Sequence, residues 1–315
     1  MRIDIIRYTK EHIAEWNAFV EKATNATFLL KREYMDYHSN RFCDHSLMFY
    51  SNQHLLALLP ANIKEDEGIL QSHGGLTYGG LIMLPGTKST EVLEIFSILV
   101  DYLHHSPTIK KLQYKAIPYI YNIEPSDEPL YALFRAGATL SSRTISTTID
   151  NSCRGKIGSQ RQRGIKKAEK SGIACSPSNR YREFWEVLTE TLQSGHNCTP
   201  THTLDEIELL QSRFPNNIKL YTATLDNNIV AGIVVYETEP TAHFQYIAAS
   251  TIGKETGALD MLANYLIDTV YANKRFIDFG ISTEQGGTVL NEGLIKQKEG
   301  FGGRAVVYDT YELEV

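Results

Sequence analysis

Apolar residues recur along this 315-residue chain at strand and helix spacing in turn. Residues 3–6 read as a short strand. Behind a Thr9 cap, Ile13, Trp16, Phe19 and Val20 fall on one face of a helix. A second helix is predicted over about 31–40. Leu47 to Tyr50 and Leu55 to Ala61 form a hairpin pattern around Asn52-Gln53, and 69–71 and 79–84 continue as strands. An amphipathic helix follows over 87–104, a strand over 111–116 and a short helix over 129–135. After Gly137 stops that helix, a strand runs over 138–149.

The second half repeats the order. Phe184, Trp185, Val187 and Leu188 answer the first helix, and 203–213 the second. The segments 218–224 and 229–236 answer the hairpin, now around Asn227-Asn228; a strand over 243–248, a helix over 256–271 and a strand over 276–279 follow. Trp16 and Trp185 lie 169 positions apart, Arg41-Phe42 and Arg213-Phe214 172, Leu112 and Phe276 164, Gly137 and Gly302 165. So many landmarks in near-constant register indicate a tandem duplication. The expected organisation is a first copy over 1–150, a basic linker helix over 151–172 and a second copy over 173–315. Each copy is mixed α/β with a mainly antiparallel sheet flanked by helices.

Polar chemistry gathers in Arg275 to Val307. There a buried strand ends at Gly280, a polar loop follows, and a helix is predicted over 288–299 before Gly300 stops it. A strand end beside a helix N-terminus presents backbone N–H groups to a ligand. Asp278, Ser282, Thr283, Glu284, Asn291 and Lys298 are the side chains available. Asn291 and Lys298, seven residues apart, are expected on one helix face. Lys298 would then hold an anionic group or stabilise developing negative charge, with Glu284 or Asp278 accepting a proton, while Ser282 and Asn291 bind substrate. A glycine pair flanks His73 and another Tyr78 (His73-Gly74-Gly75, Tyr78-Gly79-Gly80), which permits close backbone approach to a ligand. His73 and Tyr78, with Tyr246 in the second-copy strand, complete the candidate substrate-binding set.

Composition narrows the classes. With 42% hydrophobic and 22% charged residues the chain is an ordinary globular protein, and no apolar run approaches the length of a membrane span. The N-terminus lacks an apolar signal core, so a cytoplasmic location is expected. Four scattered cysteines (Cys43, Cys153, Cys175, Cys198) without zinc spacing give no reason to expect a metal or a disulfide framework. A net charge of −6 argues against a DNA-coating protein. Within that acidic chain, 151–171 holds Arg154, Lys156, Arg161, Arg163, Lys166, Lys167 and Lys170 against Glu169 alone. This block is either a solvated helix face or a surface for a phosphate-bearing ligand.

Arg163-Gly164-Ile165-Lys166-Lys167-Ala168-Glu169-Lys170-Ser171-Gly172-Ile173 resembles the R-x-x-I-x-K-A-x-x-x-G-I/V segment that opens the second copy of tandem GNAT-type acyltransferases. These are the Fem-type aminoacyltransferases and their acetyltransferase-6 or BioF2-like relatives, which are bacterial. Phe214-Pro215, Asp278-Phe279-Gly280-Ile281-Ser282 and Lys298-Glu299-Gly300-Phe301-Gly302-Gly303 are similar to further stretches of that family. The resemblance implies two GNAT-like domains and transfer of an acyl group to an amine on a small molecule or cell-envelope precursor. It implies acyl-CoA as co-substrate, or aminoacyl-tRNA as the alternative donor. Lys254-Glu255-Thr256-Gly257-Ala258-Leu259 approximates the acyl-CoA pyrophosphate loop, so Lys254 and Gly257, with Arg161, Arg163 and Lys167, are the implied donor-binding residues. Residues 181–213 leave no room for the helical arm of tRNA-using members. A protein that keeps the fold and only binds a ligand is the reading from a different class.

Overall fold

The computed structural model describes residues 2–196 and 198–315. The chain forms two compact units, Met1–Thr144 with Gly286–Thr288 and Val307–Val315, and Ile145–Gln285 with Val289–Val306. Both are mixed α/β with mostly antiparallel strands, as the pattern predicts.

In the first unit, β1 (Asp4–Arg7) leads into α1 (Ile13–Lys22), which buries Trp16, Phe19 and Val20. The second helix is shorter than expected: α2 (Arg32–Met35) tightens into a 3-10 turn over Asp36–His38. β2 (Cys43–Asp44), β3 (Leu47–Ser51), β4 (His54–Leu59), β5 (Asn62–Lys64), β6 (Ile69–Gln71) and β7 (Ile82–Met83) precede α3 (Ser89–His104). β8 (Lys111–Lys115), α4 (Glu128–Arg135) and β9 (Thr139–Asp150) follow, the last reaching into the second unit. One sheet runs β1-β3-β4-β7 and another carries β8-β6-β5-β2. Val92, Ile95, Phe96, Leu99 and Leu103 of α3 share one core with Phe49, Leu70 and Leu112; each such side chain stabilises by about 1.5–3 kcal/mol when fully buried.

The second unit opens with α5 (Ser159–Lys170), β10 (Ala174–Ser178), α6 (Tyr181–His196) and α7 (Leu204–Arg213). β11 (Ile218–Leu225), β12 (Asn228–Glu237) and β13 (Thr241–Ala249) form a meander. α8 (Thr251–Thr256), α9 (Ala258–Tyr265) and β14 (Phe276–Ile281) come next, then a small ribbon of β15 (Thr283–Glu284) and β16 (Val289–Leu290). α10 (Glu292–Glu299) and β17 (Arg304–Glu314) close the chain, and Thr310–Glu314 pair with β8 in the first unit. Strand order in the second unit is β10-β11-β12-β13-β14-β9. The segment 151–172, expected to join two copies, lies within this unit.

The duplication is visible in matched details. Trp16 donates its indole N–H to the Leu30 carbonyl at 2.8 Å, and Trp185 donates to that of His202 at 3.2 Å. The β3–β4 turn has Asn52 and Gln53 at φ 48° and 67°, and the β11–β12 turn has Asp226 and Asn227 at 48° and 64°. Two consecutive left-handed residues are what a tight two-residue hairpin requires. The second turn lies one residue earlier than expected, because Asn228 already starts β12. Each hairpin carries a register shift just before its turn, at Phe49/Tyr50 and at Ala223/Thr224. Each unit also holds one parallel pair, β6 with β8 and β13 with β14. Among the described residues no helix is long and apolar enough to cross a membrane.

Candidate active site

The site grows from one local failure of strand pairing. β13 and β14 pair in parallel at only three positions, Thr241 with Phe276, Ala242 with Ile277 and His243 with Asp278. Beyond these β13 continues to Ala249 without β14 beside it. Gln245 is the extra residue of a bulge against β12, since Phe244 pairs with Val235 and Tyr246 with Val234. Ser250 donates its N–H to the Val230 carbonyl, so antiparallel alternation turns the N–H groups of Ile247 and Ala249 away from β12 toward the gap.

A cavity of about 350 Å³ occupies that gap, lined by Ile247, Ala248 and Ala249 of β13, Phe279 of β14, and Leu294, Lys298 and Phe301. Its wall is mostly apolar, with Thr191, Lys254, Gln297 and Lys298 as the polar side chains. A second cavity of about 580 Å³ adjoins it through Lys254, Leu259 and Gln297, which line both. Arg161, Arg163, Lys167, Lys254 and Gly257 all lie on this second wall. α9 points its N-terminus into the same space through Gly257, Leu259 and Asp260, adding the positive end of a helix dipole. The five residues are not equivalent. Arg161 is held by Asp260 at 2.5 Å, with both side chains mostly buried, whereas Arg163, Lys167 and Lys254 are exposed.

Glycines bring α5 against α9. A Cβ on Gly164 would lie 2.0 Å from the Asp260 carboxylate, and one on Gly257, at φ +77°, would lie 2.4 Å from the Gly164 carbonyl. The helix expected over 256–271 starts at Ala258, after a separate α8 and the left-handed Gly257, and its last turn, Leu266–Val270, is π-helical. Gly257→Ala should cost about 1–3 kcal/mol for the left-handed backbone alone, and more as α5 is displaced. Urea unfolding checks this; an unchanged midpoint would show that α5 is not clamped there.

Lys298 is 5% exposed and donates to the carbonyls of Gly280 at 2.8 Å and Ile281 at 2.7 Å. Burial pushes its ammonium down to about 8, with nearby Asp278 opposing the shift. Asp278 is fully buried. It accepts from His243 Nδ1 at 2.7 Å, Thr148 Oγ1 at 2.8 Å and Ser146 Oγ. Burial pushes its carboxyl up, but these hydrogen bonds outweigh that and hold it at about 2.

The other predicted residues are placed as follows. Asn291 does not share a helical face with Lys298; it caps α10, its Oδ1 accepting from the Leu294 N–H at 3.0 Å. The helix starts at Glu292 because Val289 and Leu290 pair with Thr283 and Glu284 instead. Glu284 is exposed and accepts from Asn291 Nδ2 at 3.1 Å. Ser282 is buried, its N–H on the Ile145 carbonyl. Tyr246 is buried against Trp185, with its hydroxyl on His202. His73 and Tyr78 belong to the first unit. His73 is left-handed at φ 52°, and burial, with the charges of His38, Arg32 and Lys115, pushes it down to about 3. Tyr78 pairs with Thr27 at 3.0 Å and packs on Tyr121. His243 was not singled out by the sequence: it is one histidine in an alternating strand, and its carboxylate partner is 35 residues away. Among the described residues no three His, Cys, Asp or Glu side chains gather as a metal site requires.

No family model and no curated relative matches the sequence. Solved structures do. FemX is similar with a TM-score of 0.67 at 9% identity, covering 99% of this chain and 97% of that one. The C-terminal domain (DUF2156) of a putative lysylphosphatidylglycerol synthetase from Agrobacterium fabrum gives 0.61 at 11%, covering 96% and 92%. L-PGS from Bacillus licheniformis gives 0.60 at 12%, covering 96% and 91%. At such identities what is shared is architecture, and the chain has a GNAT-like fold of the Fem type.

Proposed function

We propose that the second unit transfers an acyl group from an activated, phosphate-bearing donor to an amine. The observation that carries this reading is the junction of two unlike cavities at the β13–β14 gap. The basic one, with Arg163, Lys167, Lys254 and the α9 N-terminus, suits a pyrophosphate or phosphodiester. The apolar one suits the arm that joins such a handle to the acyl carbon. At the gap the Ile247 and Ala249 N–H groups are turned so that they can stabilise the oxyanion that forms when an amine attacks. Acyl-CoA, with phosphates, a slender arm of short alkyl segments joined by amides, and a thioester in that order, is the donor best matched to this sequence of surfaces. Aminoacyl-tRNA is the second reading, favoured by the fold likeness to FemX and by the exposed Lys166 and Lys170 that extend the basic face of α5.

Calorimetric titration with acetyl-CoA and with charged tRNA, beside a product assay on simple amines, separates the donors. Reversing Arg163, Lys167 and Lys254 to glutamate is expected to weaken the donor that binds by at least about tenfold at low salt, because a charge-assisted hydrogen bond contributes about 1.5–3 kcal/mol. The defect should shrink as salt screens the wild type. Unchanged affinity would move the donor elsewhere, and binding without turnover on any amine would leave only a binding protein.

A further inference from the structure

An amine is an ammonium ion near neutral pH, so acyl transfer needs a proton acceptor at the gap. Asp278 lies at the right strand end, but it already accepts three hydrogen bonds in full burial, so taking a proton would break that network. The ring hydrogen-bonded to it is better suited. His243 and Asp278 form the last parallel pair before the strands part. Ala242, Phe244 and Phe279 pack in the core with α9, so alternation puts His243 and Asp278 on the opposite face of the sheet. The basic cavity lies on the α9 side and the dyad on the other face, while the apolar cavity at the gap is lined from both, by Ile247 and Ala263 and by Ala248 and Thr191. The ring also lies against the turn that Lys298 holds, since a Cβ on Gly280 would sit 3.4 Å from His243 Cε1.

An ionised Asp278 can only accept, so the hydrogen on the 2.7 Å contact belongs to His243 Nδ1, and in the neutral ring Nε2 carries the lone pair. Building on the acyl-transfer reading, we propose that His243 Nε2 takes the proton from the attacking ammonium, with Asp278, Ser146 and Thr148 as positioning residues. The ammonium gives one proton to Nε2. Its freed lone pair forms the C–N bond as the carbonyl pair moves onto oxygen. Collapse breaks the C–S bond of a thioester, or the C–O bond of an ester; a second proton from the nitrogen leaves with the thiol or hydroxyl, and His243 returns its proton to water. Among the described groups, Asp278 on β14 bonds this ring, Tyr236 on β12 is its register partner, and Ser146 and Thr148 on β9 reach it through the Asp278 carboxylate. Lys298 of α10 holds the Gly280 carbonyl, in the turn against which the ring lies.

Two measurements test this. Nitrogen-15 NMR of the histidine-labelled full chain, with the His243 signal assigned by its loss in His243→Gln, reads the tautomer without any substrate. The expected neutral form is Nδ1–H with an unprotonated Nε2, reversed in Asp278→Asn; a neutral wild-type ring protonated at Nε2 instead overturns the proposal. With acetyl-CoA as donor, His243→Gln should lose about 10²-fold or more of kcat toward ethylamine, an ammonium near neutral pH, but only a few-fold toward hydroxylamine, which is neutral there. It should also flatten the acidic limb of the ethylamine pH profile. Equal losses on both acceptors, or an unchanged profile, overturn the role and mark His243 as structural. A wild type that shows the predicted tautomer yet acylates neither amine overturns the acyl-transfer reading instead, and this role with it.

Discussion

Arg32→Ala is expected to lower the unfolding free energy of the first unit by about 3–5 kcal/mol, the range seen when one partner of a buried charge network is removed. Arg32 is 2% exposed. Its guanidinium donates to Asp44 at 2.6 Å, to Asp36, and to Ser46 Oγ at 3.3 Å, and it lies 3.8 Å from the Tyr8 ring centre and 5.3 Å from that of Trp16. Burial works against the charge, and the two carboxylates more than restore it. Deleting the side chain leaves Asp36 and Asp44 facing each other across an apolar space walled by the two aromatic rings. Arg32→Lys should recover only part of the loss, because an ammonium cannot fork to both carboxylates while stacking on Tyr8. Urea unfolding followed by tryptophan fluorescence checks this; a loss below about 1 kcal/mol, the scale of an exposed pair, would show that water already screens the carboxylates.

Lys298→Ala is expected to lower turnover by about 10²-fold or more, through geometry rather than charge contact. Its ammonium is consumed by the Gly280 and Ile281 carbonyls, the turn against which His243 rests. Without it two carbonyls lose their donor and the apolar cavity gains volume. Lys298→Met, which keeps the volume, should be nearly as slow, whereas Glu284→Gln should stay within a few-fold of wild type, since the Glu284 side chain is exposed and accepts from Asn291 outside the cavity lining. A Lys298→Met variant with wild-type rates would sink the positioning role. The same lysine leaves a mark on stability. Between about 8, its folded value, and 10.5, its ordinary one, the unfolded chain holds a proton that the folded chain has released. Wild-type stability therefore gains from this group as pH rises through that window, with the full burial cost present below it. Lys298→Met should lose that contribution, which urea midpoints at the two ends of the window will show.

The local features were legible because their causes are local. The helical faces of Trp16 and Val92, the paired left-handed hairpin turns and the near-constant offset between the two halves follow from period, turn chemistry and spacing. The cations of the basic cavity were also within reach, carried by a family resemblance in consecutive residues. Errors arose where a neighbour outbid a local preference. Val289 and Leu290 fit a helix but pair with Thr283 and Glu284, so α10 starts later and Asn291 becomes its cap. The helix expected from 256 starts at Ala258, because Gly257 is left-handed and the Gly164 carbonyl leaves no room there for a side chain.

By itself, then, the sequence determined the class of the fold, its duplication, and which stretches carry cations and which carry a strand end. Only the tertiary structure decided which polar groups are spent and which are poised. Asp278 meets Ser146 and Thr148 across 132 and 130 residues and His243 across 35, and Arg161 meets Asp260 across 99. Such pairs depend on strand register and on the crossing of α5 with α9, and a one-residue slip would send each side chain to the other face. The chemistry of a carboxylate or a lysine is set by its desolvation and its partners, and those are properties of the assembled fold.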